Sequence, residues 1–412
     1  MKRRDFLSAA TALSLFAGDA FAAKKKAATT TTKSKTASAT KRTTAKKGAH
    51  RSTAAHKPQG PVTHTAADPV IENPPDGTSA SRLPPVKAPE LPSEWRTYEI
   101  TTTIKLPETK SASNIWLPLP LNQDTLFQRT LGYEWSGNAM RASVRRRPDG
   151  EMEVFHSQWE EGSRAHLKLT VQVMAADRHF DITRRSMPPE REDILRHNLQ
   201  ASRLIPNDGL AHQQGVSIVG RIKDPVAQAK AIYDWVIDNS IYDPGLPGCG
   251  IGDVRQMLLQ GRYQGRSAEI NGLFVAICRS IGIPARCVYG LRVGPSRLFN
   301  SLGLHGDNAT AGQHVRAEFY IPGYGWIPVD PSDVRRAIAT EGLTDNDNRL
   351  PSLKRVLFGV WEMNWIAFNV GTDITLPGRQ DSMPFLVAPL IEPATNELDT
   401  PAYEIRARRI EL

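Results

Sequence analysis

One stretch restricts the fold more than any other. Between positions 267 and 281 the apolar residues Ile270, Leu273, Phe274, Ile277, Cys278 and Ile281 recur at helical spacing. Gly282 is a natural stop for that helix, and Pro284 forbids its continuation. The segments that follow, 285–292, 314–321 and 326–329, are strand-like. A second helix is expected over 225–237, with Asp224 as its cap, Pro225 in its first turn, and Ala229, Ile232, Tyr233 and Val236 on one face. Helices followed by a run of antiparallel strands define an α+β class.

Upstream, Tyr98, Ile100, Thr102 and Ile104 alternate as in a strand, and 115–120 and 166–173 continue the pattern. These segments predict a small β-domain over 93–182, ahead of a helix-and-sheet domain over 183–377. A C-terminal β extension over 378–412 contains Phe385-Leu386-Val387 and the closing alternation from Tyr403 to Arg408.

Charge separates these parts from the rest of the chain. The 412 residues carry a net charge of +9, yet 23–57 alone holds nine Lys, two Arg and no acid. The first 22 residues add +1, so the remainder is −3. The basic character therefore belongs to a tail, and nucleic-acid binding by the folded part is not expected. Segment 23–92 is Lys/Thr/Ala-rich and then Pro-rich, with too few large apolar residues to offset the entropy of ordering, which predicts a disordered linker. It is read either as a solvated spacer or as an adhesive for anionic envelope polymers. Segment 1–22 reads as an export signal. Arg3-Arg4-Asp5-Phe6-Leu7 resembles the twin-arginine type, a moderately apolar run reaches Phe16, and Ala20-Phe21-Ala22 precedes the expected cleavage site. No later window offers ~18 uninterrupted apolar residues, so no membrane span is expected after signal removal. The expected location is periplasmic or secreted.

The chemistry gathers near the helix at 267. His314 to Tyr320 alternates polar with apolar, Pro322-Gly323-Tyr324-Gly325 is a turn by composition, and Trp326 to Asp330 returns. Pairing Tyr320 with Trp326 sets Arg316 opposite Asp330 and His314 opposite Ser332, so that His314 and Asp330 become diagonal neighbours on one face. A carboxylate beside an imidazole fixes its tautomer and stabilises the imidazolium. At the start of its helix, Ser267 sits at the positive end of the helix dipole beside unpaired N–H groups. Read from local sequence alone, it is a plain N-cap.

A wider pattern joins these segments. Gly265-Arg266-Ser267-Ala268-Glu269, the run through Ala276, and Gly282-Ile283-Pro284-Ala285-Arg286 resemble the nucleophile helix of bacterial transglutaminase-like proteins, which are related to papain. His314 to Tyr320, Gly323 to Trp326 and Val329-Asp330-Pro331 resemble that family's His and Asp segments. Gly250-Ile251-Gly252-Asp253 and Trp361-Glu362-Met363-Asn364-Trp365 are similar to flanking motifs of an exported subgroup. The resemblance covers roughly 188–377. It implies a Cys-His-Asp triad on a nucleophile helix packed against an antiparallel sheet, with His314 as base and Asp330 as its orienting partner. Ser267 falls where the family carries cysteine; Glu269 and Val315 are milder departures. A helix dipole worth ~1 kcal/mol cannot make a serine alkoxide at neutral pH. The substitution therefore predicts impaired catalysis with a cleft retained for peptide or cell-wall peptide. The alternative is an active hydrolase or acyltransferase on amide or ester bonds using Ser267, His314 and Asp330.

The three cysteines offer little else. Cys278 lies eleven residues along the same helix, about 16 Å from its start, and is expected in the core with Cys287. Cys249 is a loop residue that could approach the cleft. An odd, small number argues against a disulfide framework, though one bridge remains open. Neither metal-ligand spacing nor a phosphate-binding glycine loop occurs, and no cofactor is expected.

Overall fold

A computed structural model describes residues 92–411, apart from 109, 123–124, 148–150, 182–186 and 394–401. The predicted signal (1–22) and linker (23–92, all but Pro92) lie outside the described residues. In chain order the first strands are β1 (Arg96–Glu108), β2 (Ser113–Pro118), β3 (Gln128–Gly137), β4 (Arg141–Arg146), β5 (Glu153–Trp159), β6 (Arg164–Ala175) and the short β7 (Arg178–His179). Four helices follow: α1 (Glu192–His197), α2 (Gly209–Val219), α3 (Pro225–Asn239) and α4 (Val254–Gln260). The short strands β8 (Ile241–Tyr242) and β9 (Gln264–Gly265) flank α4 and lead to α5 (Ser267–Ser280). Next come β10 (Ala285–Arg292), β11 (Gln313–Ile321), β12 (Gly325–Val329), α6 (Pro331–Glu341) and α7 (Arg349–Val356). The chain ends through β13 (Val360–Trp361), β14 (Trp365–Asn369), β15 (Ile374–Thr375), β16 (Ser382–Met383), β17 (Leu390–Glu392) and β18 (Tyr403–Ile410).

Two four-stranded sheets, β18-β1-β6-β3 and β17-β2-β5-β4, face each other over a core that includes Ile104, Leu167 and Leu169 from one and Ile115, Leu117 and Phe155 from the other. Of the alternation read in 98–104, Ile104 faces this sandwich core, whereas Tyr98 and Ile100 pack in a separate cluster with Leu291, Val293 and Ile366. The last strands join these two sheets. β18 pairs along β1 from Ile104↔Tyr403 to Thr97↔Ile410, and β17 pairs with β2. Segment 385–387, expected as a strand, lies outside every ladder; Phe385 instead stacks on Tyr289 with ring centroids 4.4 Å apart.

The third four-stranded sheet, β12-β11-β10-β14, is antiparallel throughout and carries α5 across β10 and β11. Val315, Ala317, Phe319 and Ile321 of β11 share one buried core with Ile270, Leu273, Phe274 and Ile277 of α5. The other face of β11 is also covered, which explains why all nine of its residues are buried. There Arg316 lies 4.7 Å from the Trp365 ring centroid, and Glu318 takes ion pairs from Arg178 and Arg286 at 2.5 and 2.6 Å. The local signals that predicted the two long helices hold. Asp224 Oδ2 accepts from Ala227 N–H at 2.7 Å, and Gly282 leaves α5 at φ +87°.

Candidate active site

The turn chemistry sets the register of the site. Tyr320 pairs with Trp326, as the spacing predicts, but the ladder stops at Ala317↔Val329. Neither Arg316 opposite Asp330 nor His314 opposite Ser332 is formed as a strand pair. Pro331 has no N–H to donate, and Asp330 turns out of the strand to cap α6, accepting from Asp333 N–H at 3.0 Å. The expected contact survives this change. His314 Nε2 lies 2.7 Å from Asp330 Oδ2, with His314 2% exposed and Asp330 fully buried.

The Asp330 carboxylate is held on both sides. Oδ1 accepts from Ser332 Oγ at 2.7 Å and from Asn271 Nδ2 at 3.1 Å, while Oδ2 faces His314 and, at 3.6 Å, Arg316 Nε. Asn271 Nδ2 also donates to the Val315 carbonyl at 2.6 Å and so ties α5 to β11. With Nε2–H donated to Asp330, the His314 lone pair is on Nδ1. Burial, first, and then the nearby Arg292 guanidinium hold the His314 pKa well below the ordinary histidine range. The ring is therefore neutral at pH 7.

Ser267 is the first residue of α5 rather than its cap, a position that Arg266 takes. Its N–H is thus among those with no intrahelical partner. Its hydroxyl accepts from Val315 N–H at 3.1 Å and points at the Cys249 carbonyl at 3.5 Å. Both partners are backbone groups; the imidazole is not among them. Glu269, two residues on, fastens the loop before the helix. Its carboxylate accepts from Ile251 and Gly252 N–H at 2.6 and 2.7 Å and from Arg266 N–H at 3.0 Å.

Ser267 and His314 line one cleft, together with Tyr242, Gly248, Arg266, Gln313, Ser332, Asp333 and Arg336. Asp330 lies behind His314 as its buried partner. The structure therefore brings all three sequence-predicted residues to one place. It adds Asn271, Asp333, Arg292, Arg316 and Arg336, to which sequence reasoning gave no role. Asn271 had a signal: it is a polar residue four positions after Ser267, amid the apolar run from Ile270 to Cys278. The arginines had none, because they converge from separate elements.

His314, Asp330 and Asp333 present donor atoms within 4.8 Å of one another, a spacing that could suit a cation. The charges beside them argue otherwise. Arg292 pairs with Asp333 at 2.5 Å and Arg316 stands beside Asp330, so guanidinium groups already supply the positive charge. All three cysteines are free and buried. Burial pushes the Cys249 and Cys287 thiols up to about 12 and Cys278 well above its usual value. Cys249 does reach the site, but through its carbonyl rather than its sulfur.

A helix N-terminus facing a His-Asp pair on an antiparallel sheet is the arrangement of papain-related folds. The family model for the transglutaminase-like superfamily matches residues 213–331, which include Ser267, His314 and Asp330. An uncharacterized protein of Haemophilus influenzae is 31% identical over 317 residues, 72% of this chain and 85% of that protein. This chain belongs to the transglutaminase-like superfamily. Among solved structures, one described as a "Putative Cysteine Protease" from Cytophaga hutchinsonii is 18% identical, covers 77% of this chain and 99% of its own, and has a TM-score of 0.45. The periplasmic domain of TgpA from Pseudomonas aeruginosa is 18% identical, covers 57% and 89%, and has a TM-score of 0.29. Among the described residues no helix is long and apolar enough to cross a membrane.

Proposed function

We propose that this chain is an exported transglutaminase-fold protein that binds peptide or cell-wall peptide in the Ser267–His314 cleft and is impaired in acyl transfer. One observation carries this reading: the Ser267 hydroxyl is engaged with two backbone groups and not with the imidazole. A serine needs a base to become a nucleophile, and a histidine whose pKa burial has lowered is a weaker base. The paired arginines Arg3 and Arg4 support export by a twin-arginine route to the periplasm or beyond. The basic stretch after the signal suits contact with anionic envelope polymers.

A second reading, serine-based hydrolysis or acyl transfer, is favoured by the 2.7 Å His314–Asp330 contact, a pairing that active triads use. A fluorophosphonate probe separates the two. The first reading expects no labelling that depends on Ser267. Labelling of the wild-type protein that disappears in Ser267→Ala would establish the second.

A further inference from the structure

The cleft beside Ser267 carries more positive charge than its own structure uses. Arg266 donates to the Leu246 carbonyl at 2.8 Å and to the Tyr242 hydroxyl at 3.0 Å, and its guanidinium meets no carboxylate among the described residues. Arg336 enters from α6. Its guanidinium forms no hydrogen bond and no ion pair with any described residue, and its Nε is buried without a partner. The two guanidinium carbons lie 5.7 and 5.8 Å from the Tyr242 ring centroid, so two like charges flank one aromatic ring. One carboxylate lines the cleft, that of Asp333, and Arg292 already pairs with it. A buried donor without an acceptor is costly, and bringing two cations together adds to that cost. Within the described residues the Tyr242 ring and the Asp333 carboxylate, already paired with Arg292, offset part of this for Arg336, and its Nε keeps no acceptor.

We infer that Arg336 and Arg266 form an anion subsite beside Ser267, and that the peptide held there presents a carboxylate close to the amide carbonyl facing the serine. This rests on the proposed reading of the cleft as a peptide site and names the chemistry of what enters it. A carboxylate fits because a guanidinium fork binds it in two-point fashion, and Tyr242 and Gln313 in the lining bring further polar groups. Two sources share this chemistry: an acidic side chain, and a free carboxy terminus.

The test uses Ser267→Cys in the full chain, alkylated by iodoacetamide or by the anionic iodoacetate. The iodoacetamide rate reports whether position 267 is reachable, which belongs to the reading of the cleft. The ratio of the two rates reports the anion subsite. The iodoacetate:iodoacetamide ratio should exceed that of the unfolded chain by about fivefold, and it should shrink as salt is added. Arg336→Gln should return it to the unfolded value, whereas Arg336→Lys, which keeps the charge, should retain part of the excess. Protection from iodoacetamide then identifies the source. N-acetylglutamine carries a terminal carboxylate, N-acetylglutamate α-amide a side-chain one, and N-acetylglutamine amide none. Protection by one of the acids and not by the uncharged amide supports the subsite. An unshifted ratio, a shift that persists in Arg336→Gln, or protection that is equal for all three compounds or absent for all would overturn it. The peptide-binding reading would survive such a result if iodoacetamide still reacted readily.

Discussion

At the scale of single residues, Asn271 does more for the site than its place in an apolar helix suggests. Its amide touches the Val315 carbonyl, Asp330 Oδ1 and Ser332 Oγ, all inside the protein. Asn271→Ala leaves these acceptors short of a donor and should cost about 2–3 kcal/mol in a urea melt. Asn271→Asp should cost more, since it sets a second carboxylate against Asp330. Stability equal to wild type would remove Asn271 from the network. His314 makes a prediction about pH. Its folded pKa lies below the unfolded value of ~6.5, so as pH falls through ~6.5 the unfolded chain takes up a proton that the folded chain refuses. Stability is therefore full above that range and declines as pH drops toward the lower folded pKa, by at most about 1.4 kcal/mol per unit for this one proton. In His314→Gln that part of the slope should vanish. His156, also depressed by burial, remains in both proteins and cancels in the comparison.

At the scale of elements, the start of α5 and the loop before it act as one piece. Glu269 binds three backbone N–H groups, and the loop approaches it so closely that only glycine fits at position 250. Gly250 has φ +99°, and a Cβ there would meet Glu269 Oε2 at 1.9 Å. Gly250→Ala should therefore cost about 2 kcal/mol or more. It should also displace the Cys249 carbonyl from Ser267, which the Ser267→Cys alkylation rate would register. A variant as stable as wild type would show that the loop can relax. The strand-to-helix step at Asp330 is equally tight, because this one residue follows the last residue of β12 and caps α6.

At the scale of the whole molecule, the end of the chain supports the approach to the site. β18 is the edge strand on β1, and its backbone also meets the loop that leads into β11. Ala309 N–H donates to the Ile405 carbonyl, and Ala407 N–H to the Asp307 carbonyl, both at 2.8 Å. Four residues further on from Thr310 stands His314. Deleting 403–412 would expose the buried faces that Ile405 and Ala407 cover, unpair one edge of β1 and free that loop. The expected loss is about 3–5 kcal/mol, read as a fall in melting temperature. An unchanged melt would show that β18 is dispensable.

Much of this architecture is legible in the amino-acid sequence. The helix at 267, its glycine stop, the Asp224 cap and the Tyr320↔Trp326 register all follow from periodicity and turn chemistry, which act within a few residues. The His314–Asp330 contact follows from that register, although the ladder ends sooner than pairing alone implies. The α6 helix is not among the expected elements, despite an Asp-Pro start of the kind that predicts α3. Other features have no local signal. Asn271 reaches Asp330 across 59 positions, Arg292 reaches Asp333 across 41, and β18 completes a sheet begun by β1 at the opposite end of the folded region. Sequence by itself determined most of the elements, because backbone preference and side-chain period are local, while the family resemblance marked Ser267, His314 and Asp330 as candidates. Only the tertiary structure decided which buried charges meet and where the serine hydroxyl is held, because those depend on packing between segments whose separation along the chain carries no periodic trace.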